Sequence, residues 1–394
     1  MMIDKNFFNS ATIEGMLASK RTEKWHSHPN GVIPLSLAET DFPVAPEIMK
    51  ALMDGVNNQD VFYMGDRTIE KYREIMAAKI VHRNGIKATA NDVMITHAVT
   101  ATMWLAIQYA CKEGDEVIVN NPAYGPFLRA IERTNTKPIY WDIFQEEGYN
   151  FNIEKLKEVI TKKSKLIVIC NPHNPTGRVM TKQELKGVAD VAVDNNIPVW
   201  VDEVWEDIIF DGRKHISLAS LNPDIERLTM TCWGFSKTFN VSGLRMGYLC
   251  AMNKEMMKRL RYIGEGVVFR DPPIASLAMA AIPVMLDETL DWYRYGMMMH
   301  LHKIRAICEK RFEETPKVVC PKIEGTYQMF PRFDYGMKSD ELQKYMLDKA
   351  RLGFASGTHY GPGGEGHLRL VIATSEAIIN EIFDRMQETL KNLV

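Results

Sequence analysis

No apolar run in this 394-residue chain approaches the roughly 18 residues that a membrane-spanning helix requires. The opening stretch MMIDKNFFNSATIEGMLASKRTEKW also lacks the apolar core of about 7 residues that marks a secretory leader. A cytoplasmic protein is the expectation. Charge of one sign is not in excess: 48 Lys and Arg stand against 50 Asp and Glu, a formal net charge of −2. Such a chain has no field to draw in a polyanion, so nucleic acid is not an expected partner. Cysteine is sparse. Cys111, Cys170, Cys232, Cys250, Cys308 and Cys320 are scattered, with no CxxC pair and no His at metal-ligand spacing. They read as reduced core residues, and no metal centre is expected. Repeats, low-complexity segments and long like-charge tracts are missing as well, so nothing reads as a tail.

What is there is an alternation of apolar, β-rich runs with helix-length stretches: DVMITHA, DEVIVNN, KPIYWDI, KLIVICN, IPVWVDE, RLTMTCW and MGYLCAM, between Asp92 and Met252. This spacing predicts βαβ units and a mostly parallel seven-stranded sheet, covered by helices in a three-layer αβα large domain. A single core stops growing near about 250 to 300 residues, so a second domain is expected. A long Met-rich helical pattern from Ala281 to Glu314 leads into a smaller α+β region in which GTYQMFPRFD reads as a strand. The expected division is residues 46–285 for the large domain and 286–394 for the small one, with 1–45 joining the small domain. The methionine groups Met256-Met257 and Met297-Met298-Met299 read as core filler.

Three segments carry the chemistry. In GFSKTFNVSGLRMGY, Lys237 follows an apolar strand, is flanked by Ser236 and Thr238, and precedes Arg245 by eight residues. An amine and a guanidinium so spaced fit one phosphate-sized pocket, and burial there would lower the amine pKa and favour Schiff-base chemistry. In CNPHNPTGR, the Asn-Pro and Pro-Thr-Gly steps impose a turn after the strand KLIVI, so Asn174 offers an amide at a strand's carboxyl end, where open α/β sheets bind ligands. The run IPVWV then ends in Asp202-Glu203 at the same edge. A carboxylate there is a helix cap or an ion-pair partner, or else it holds a pyridine nitrogen protonated.

Together these segments resemble the fold-type I pyridoxal-5'-phosphate (PLP) enzymes of the aminotransferase class I/II superfamily, over nearly the whole chain. The resemblance implies PLP as cofactor, bound as a Schiff base to Lys237, with Asp202 at the pyridine nitrogen, Asn174 at the ring hydroxyl and Arg245 at the phosphate. Tyr124 in NPAYGP matches the aromatic residue that stacks on the ring. Val99 and Thr100 in HAVTATMWLAI, together with Ser236, match the phosphate cradle at a helix N-terminus. Arg369 in GHLRLVIAT matches the arginine that clamps the substrate carboxylate, and Asn174 and Tyr360 are expected beside it. Tyr63 resembles the tyrosine that reaches the phosphate of a neighbouring subunit, which implies a homodimer.

The chain also departs from that pattern. Where the family usually reads DExY, with a tyrosine donating to the ring hydroxyl, Trp205 follows Asp202-Glu203-Val204. Thr68 replaces a usual glycine, and Gly234 stands where many members carry a phosphate-binding serine. The stretches around Lys24-Trp25, NPHNPTGR, FDGRKHISLASL and GTHYGPGGEGHLRL resemble carbon–sulfur β-lyases of the MalY/PatB type, although SLAETDF, Trp205 and Arg245 differ from that branch. The expected activity is transamination of an α-amino acid, with Lys237 removing the α-proton. The alternative is β-elimination to pyruvate, ammonia and a thiol, and a catalytically inactive regulatory protein stands behind both. The pairs His26/His28 and His300/His302 sit at i, i+2 and do not share a helix face. His173 either faces the pocket or holds its loop, and His359 and Tyr360 lie in a Gly-rich segment able to close over substrate.

Overall fold

The computed structural model of the chain describes residues 6–19, 23–267 and 275–393. The seven apolar runs form seven strands of one sheet: β1 (Val93–Thr96), β2 (Glu116–Asn121), β3 (Lys137–Asp142), β4 (Ser164–Cys170), β5 (Val199–Asp202), β6 (Thr229–Gly234) and β7 (Gly247–Cys250). Their order across the sheet is β1-β7-β6-β5-β4-β2-β3. Strands β2 to β6 pair parallel, whereas β7 runs antiparallel to both β6 and β1.

The strands are apolar on both alternating sets of positions because helices cover both faces. In β4, Leu166, Val168 and Cys170 join one core while Ile167 and Ile169 join another; in β5, Trp200 faces the first and Val199 and Val201 the second. Helix α1 (Val99–Ala110) lies on the first face, where Trp200 donates its indole N–H to Thr102 at 3.0 Å. Helix α2 (Gly125–Arg133) follows β2 and contributes Phe127, packed edge-on against Trp200. Helix α3 (Lys182–Asp194), opened by a Thr181/Glu184 capping box, closes the opposite face with Leu185, Val188 and Ala192.

Towards the C-terminus two predicted elements are interrupted. The helical pattern from Ala281 to Glu314 breaks at Asp287, whose backbone is extended and whose carboxylate accepts from the Thr289 N–H at 2.8 Å, so that helix α4 runs from Asp291 to Glu313. GTYQMFPRFD is split by Pro331, which lacks a ladder donor, into Gln328–Met329 and Arg332–Phe333, and the two pieces belong to different small sheets. Of the methionine groups, Met256, Met257 and Met297 are core, but Met299 is 55% exposed. Near the N-terminus, Ile33–Pro34 pairs parallel with Leu352–Gly353.

Candidate active site

Strands β1, β2, β4, β5 and β6 point their carboxyl ends at the same sheet edge. Because β7 is antiparallel, its beginning lies there too. The loop after β1 therefore brings His97 and the start of α1, that after β2 brings Tyr124, that after β4 Asn174, the end of β5 Asp202, and the turn between β6 and β7 both Lys237 and Arg245. All of these line one cavity of about 540 Å³, together with Val99, Thr100, Trp205, Ser236, Tyr360 and Arg369. The family-derived candidates scattered from 99 to 369 are thus brought to one place. Tyr63 is not: it is 86% exposed on the approach to the helix Asp66–Lys79, outside the cavity.

The groups in the cavity are electrostatically prepared. Burial, reinforced by Arg369, lowers the Lys237 amine to about 8, against the opposing pull of Glu39 and Asp202. Lys237 Nζ donates to the Ala38 carbonyl at 2.8 Å and lies 5.4 Å from the Trp205 ring centre. Burial lifts the Asp202 carboxyl to about 7, with the Val204 N–H donating to it at 3.0 Å and Lys237 partly countering the shift. Arg369, only 3% exposed, hydrogen-bonds Gln328 and the Ser36 carbonyl; its Nε is buried without a partner, and no carboxylate pairs with it among the described residues. A buried guanidinium left so is costly unless an anion joins it.

At the phosphate-sized end, the α1 N-terminus presents free backbone N–H groups and the positive end of a helix dipole. Arg245 reaches it from a left-handed backbone (φ 54), which for a non-glycine residue costs about 1 to 2 kcal/mol and turns the chain sharply into β7. Gly234, where a serine was expected from the family pattern, has a steric cause: a Cβ there would meet Val99 Cγ2 at 2.8 Å. Val99 and Gly234 are therefore a matched pair. Gly234→Ser is expected to lower stability by about 1 to 3 kcal/mol through overpacking, with most of it recovered in a Val99→Ala/Gly234→Ser double variant. Thermal denaturation of the four proteins checks this; an additive double variant would mean that the two side chains do not compete for space.

Segments flanking the cavity hold it in place. Ala38 and Glu39 of SLAETDF meet the lysine turn through the Lys237 bond and a Ser242–Glu39 hydrogen bond, and Asn240 donates to the Phe42 carbonyl at 2.9 Å. The same segment is anchored by Asp41, whose buried carboxylate accepts from Lys24 Nζ and Trp25 Nε1, both at 2.8 Å. This accounts for the Lys24-Trp25 signature. Glu203, next to Asp202, turns away from the cavity: it accepts from Ser217 (2.6 Å) and Trp233 Nε1 (3.1 Å) and pairs with His215 (2.9 Å). FDGRKHISLASL is thus a brace beneath the sheet edge. His173 is buried, its Nδ1 2.8 Å from the Thr176 hydroxyl, so it holds the loop.

Sequence reasoning missed several lining residues. Ser36, Ala38 and His28 come from the far N-terminus and carry no local signal. His97 was hidden in the motif HAVTA; it is close enough for Arg245 to help burial lower its pKa. Arg129 was legible, since on a helix starting at Gly125 it shares the Gly125 face one turn along.

Comparison with known proteins fits this geometry. The family model for aminotransferase class I and II matches residues 30–386. An aspartate aminotransferase of Pyrococcus abyssi is 30% identical, over 91% of this chain and 92% of its own length. The cystathionine beta-lyase PatB of Bacillus subtilis is 27% identical, over 91% and 92%. Cystalysin of Treponema denticola, whose crystal structure contains pyridoxal 5'-phosphate, superposes with a TM-score of 0.90 at 27% identity, covering 96% of this chain and 98% of that one. The residues present suit that cofactor. Asn174 Oδ1 is buried without a partner among the described residues, an acceptor that a ring hydroxyl would satisfy, and Asp202 is a buried carboxyl that a cationic ring nitrogen would relieve. A fold with its sheet edge, lysine turn and arginines so arranged, and a family match spanning residues 30–386, place the chain in the aminotransferase class I and II family of PLP enzymes.

Proposed function

We propose that the chain transaminates an α-amino acid, with Lys237 as the catalytic amine. The observation that carries this reading is that Lys237 and the carboxylate-free Arg369 open into one cavity, so an amino acid held by its carboxylate reaches the amine. When bound, PLP supplies the electron sink for the α-carbon. Lys237 would hold the cofactor covalently and, as a free amine, would serve as the base at the α-carbon; in the cofactor-free protein burial lowers its pKa to about 8, within the range of a working base. Asp202 would keep a positive charge on the ring nitrogen, Asn174 would address the ring hydroxyl, and Tyr124 and Trp205 would wall the ring. Val99 N–H, Thr100, Ser236 and Arg245 would bind the phosphate. Arg369 takes the α-carboxylate through its planar fork, with Asn174 and Tyr360 beside it, the guanidinium lying 5.3 Å from the Tyr360 ring centre.

The same reading divides the chain at residues 45 and 285, supported by the pairing of Ile33–Pro34 with Leu352–Gly353. It includes a cytoplasmic homodimer, supported by the exposed run Val61, Phe62 and Tyr63, at 61%, 75% and 86%, with Tyr63 reaching the neighbouring site. No helix among the described residues is long and apolar enough to cross a membrane. Likeness to PatB favours a second reading, carbon–sulfur β-elimination. One preparation tests both: the protein sediments as a dimer, and conversion of an amino acid requires an added 2-oxo acid. Pyruvate release from L-cystathionine without any acceptor would replace transamination by elimination.

A further inference from the structure

Counting charge around the cavity leaves one cation without a task. The lining holds Lys237, Arg245, Arg369 and Arg129, and Asp202 is the one carboxylate among the described lining residues. On the proposed reading Lys237 is committed to the cofactor, Arg245 to its phosphate and Arg369 to the substrate α-carboxylate. Arg129 remains. It projects from the second turn of α2 at the cavity mouth, exposed, with its Nη1 3.2 Å from the Cβ position of Gly125, another lining residue. It makes no ion pair or hydrogen bond with any described residue.

Nothing on its own helix neutralises it, since Glu132 and Arg133 follow on the same helix without pairing with it. Tyr124 is near both arginines that lack a carboxylate partner among the described residues: its phenol feels the positive charge of Arg369 and of Arg129. The local backbone holds this arrangement. Ala123 N–H donates to the Tyr360 carbonyl at 2.8 Å, and a Cβ at Gly125 would meet the His359 carbonyl oxygen at 2.4 Å, so the start of α2 is packed hard against the His359–Tyr360 segment.

We infer that Arg129 is a specificity-determining residue that binds a second carboxylate, selecting dicarboxylic amino acids and 2-oxo acids as substrates. A single guanidinium matches a carboxylate through its planar fork. The inference rests on the assignment of Arg369 to the first carboxylate.

Unreactive probes separate the two assignments. In calorimetric titrations of the PLP-loaded protein, succinate should bind roughly 10- to 100-fold more tightly than butyrate. Arg129→Gln should abolish that preference while leaving butyrate affinity within about 3-fold, and Arg129→Lys should restore part of it. Because Arg129 is exposed and unpaired, these variants are expected to melt with the parent. Equal binding of succinate and butyrate by the parent, unchanged succinate affinity in Arg129→Gln, or equal weakening of both probes would each overturn the inference. Arg369→Gln reports on the underlying reading: unchanged butyrate affinity there would remove the first carboxylate site. Acceptor-free pyruvate release would overturn transamination but leave the succinate preference standing.

Discussion

Lys237→Ala is expected to lower kcat/KM by about 10⁴-fold or more, because one substitution removes both the covalent anchor for the cofactor and the base at the α-carbon. Its amine is well placed for both roles: burial and Arg369 hold it near 8, and its bond to the Ala38 carbonyl keeps it within the cavity. Borohydride reduction followed by peptide mass spectrometry should find the cofactor on residue 237 in the parent and nowhere in the variant. Small primary amines in the buffer should restore part of the proton transfer, which separates loss of the base from loss of the fold. Retention of cofactor attachment at another lysine would end the assignment.

Asp202→Asn should have opposite effects on activity and on the stability of the cofactor-free protein. A neutral amide cannot hold a proton on the ring nitrogen, so kcat is expected to fall by about 10²- to 10⁴-fold. In the cofactor-free protein, however, the native carboxyl titrates near 7, above its ordinary value of 3.8, because burial penalises the charged form. The folded state then holds the proton more tightly than the unfolded state, and stability falls as pH rises through that window. The loss begins near pH 4 and is complete above pH 7, where it amounts to on the order of 4 kcal/mol. Without cofactor, Asp202→Asn should therefore exceed the parent in urea midpoint at pH 8, with the advantage vanishing towards pH 4. With cofactor bound, the ring cation offsets the burial of the carboxylate and the ordering narrows or reverses. A variant less stable than the parent at pH 8 in the absence of cofactor would show that Asp202 is held by charge partners within the chain.

Trp205 sharpens the contrast with the usual tyrosine of the family pattern. It is buried, its ring lies beside the amine, and Tyr327 packs edge-on against it at 4.8 Å while donating to the Ala38 carbonyl. Tyr327 and Lys237 thus share one acceptor, and the indole fills the wall between them. Asn174 is left as the polar group for the ring hydroxyl.

The chain's local chemistry was legible before any coordinates. The seven apolar runs became the seven strands, because a strand buried on both faces needs an unbroken apolar stretch and turn residues at its ends. The lysine turn, the NPTG loop and Asp202 could be placed at strand ends for the same reason: each is a short segment whose conformation its own residues impose. Only the tertiary structure decided how those segments share a site. The antiparallel direction of β7 returns Arg245 to the edge that Lys237 left, and alternation at the end of β5 sends Asp202 into the cavity and Glu203 into the brace beneath it. Ala38 meets Lys237, and Arg369 stays without a carboxylate partner among the described residues, through contacts between residues some 200 and 330 positions apart. The burial that brings the Lys237 and Asp202 pKa values to within about one unit of each other is a property of that packing, and no local sequence pattern encodes it.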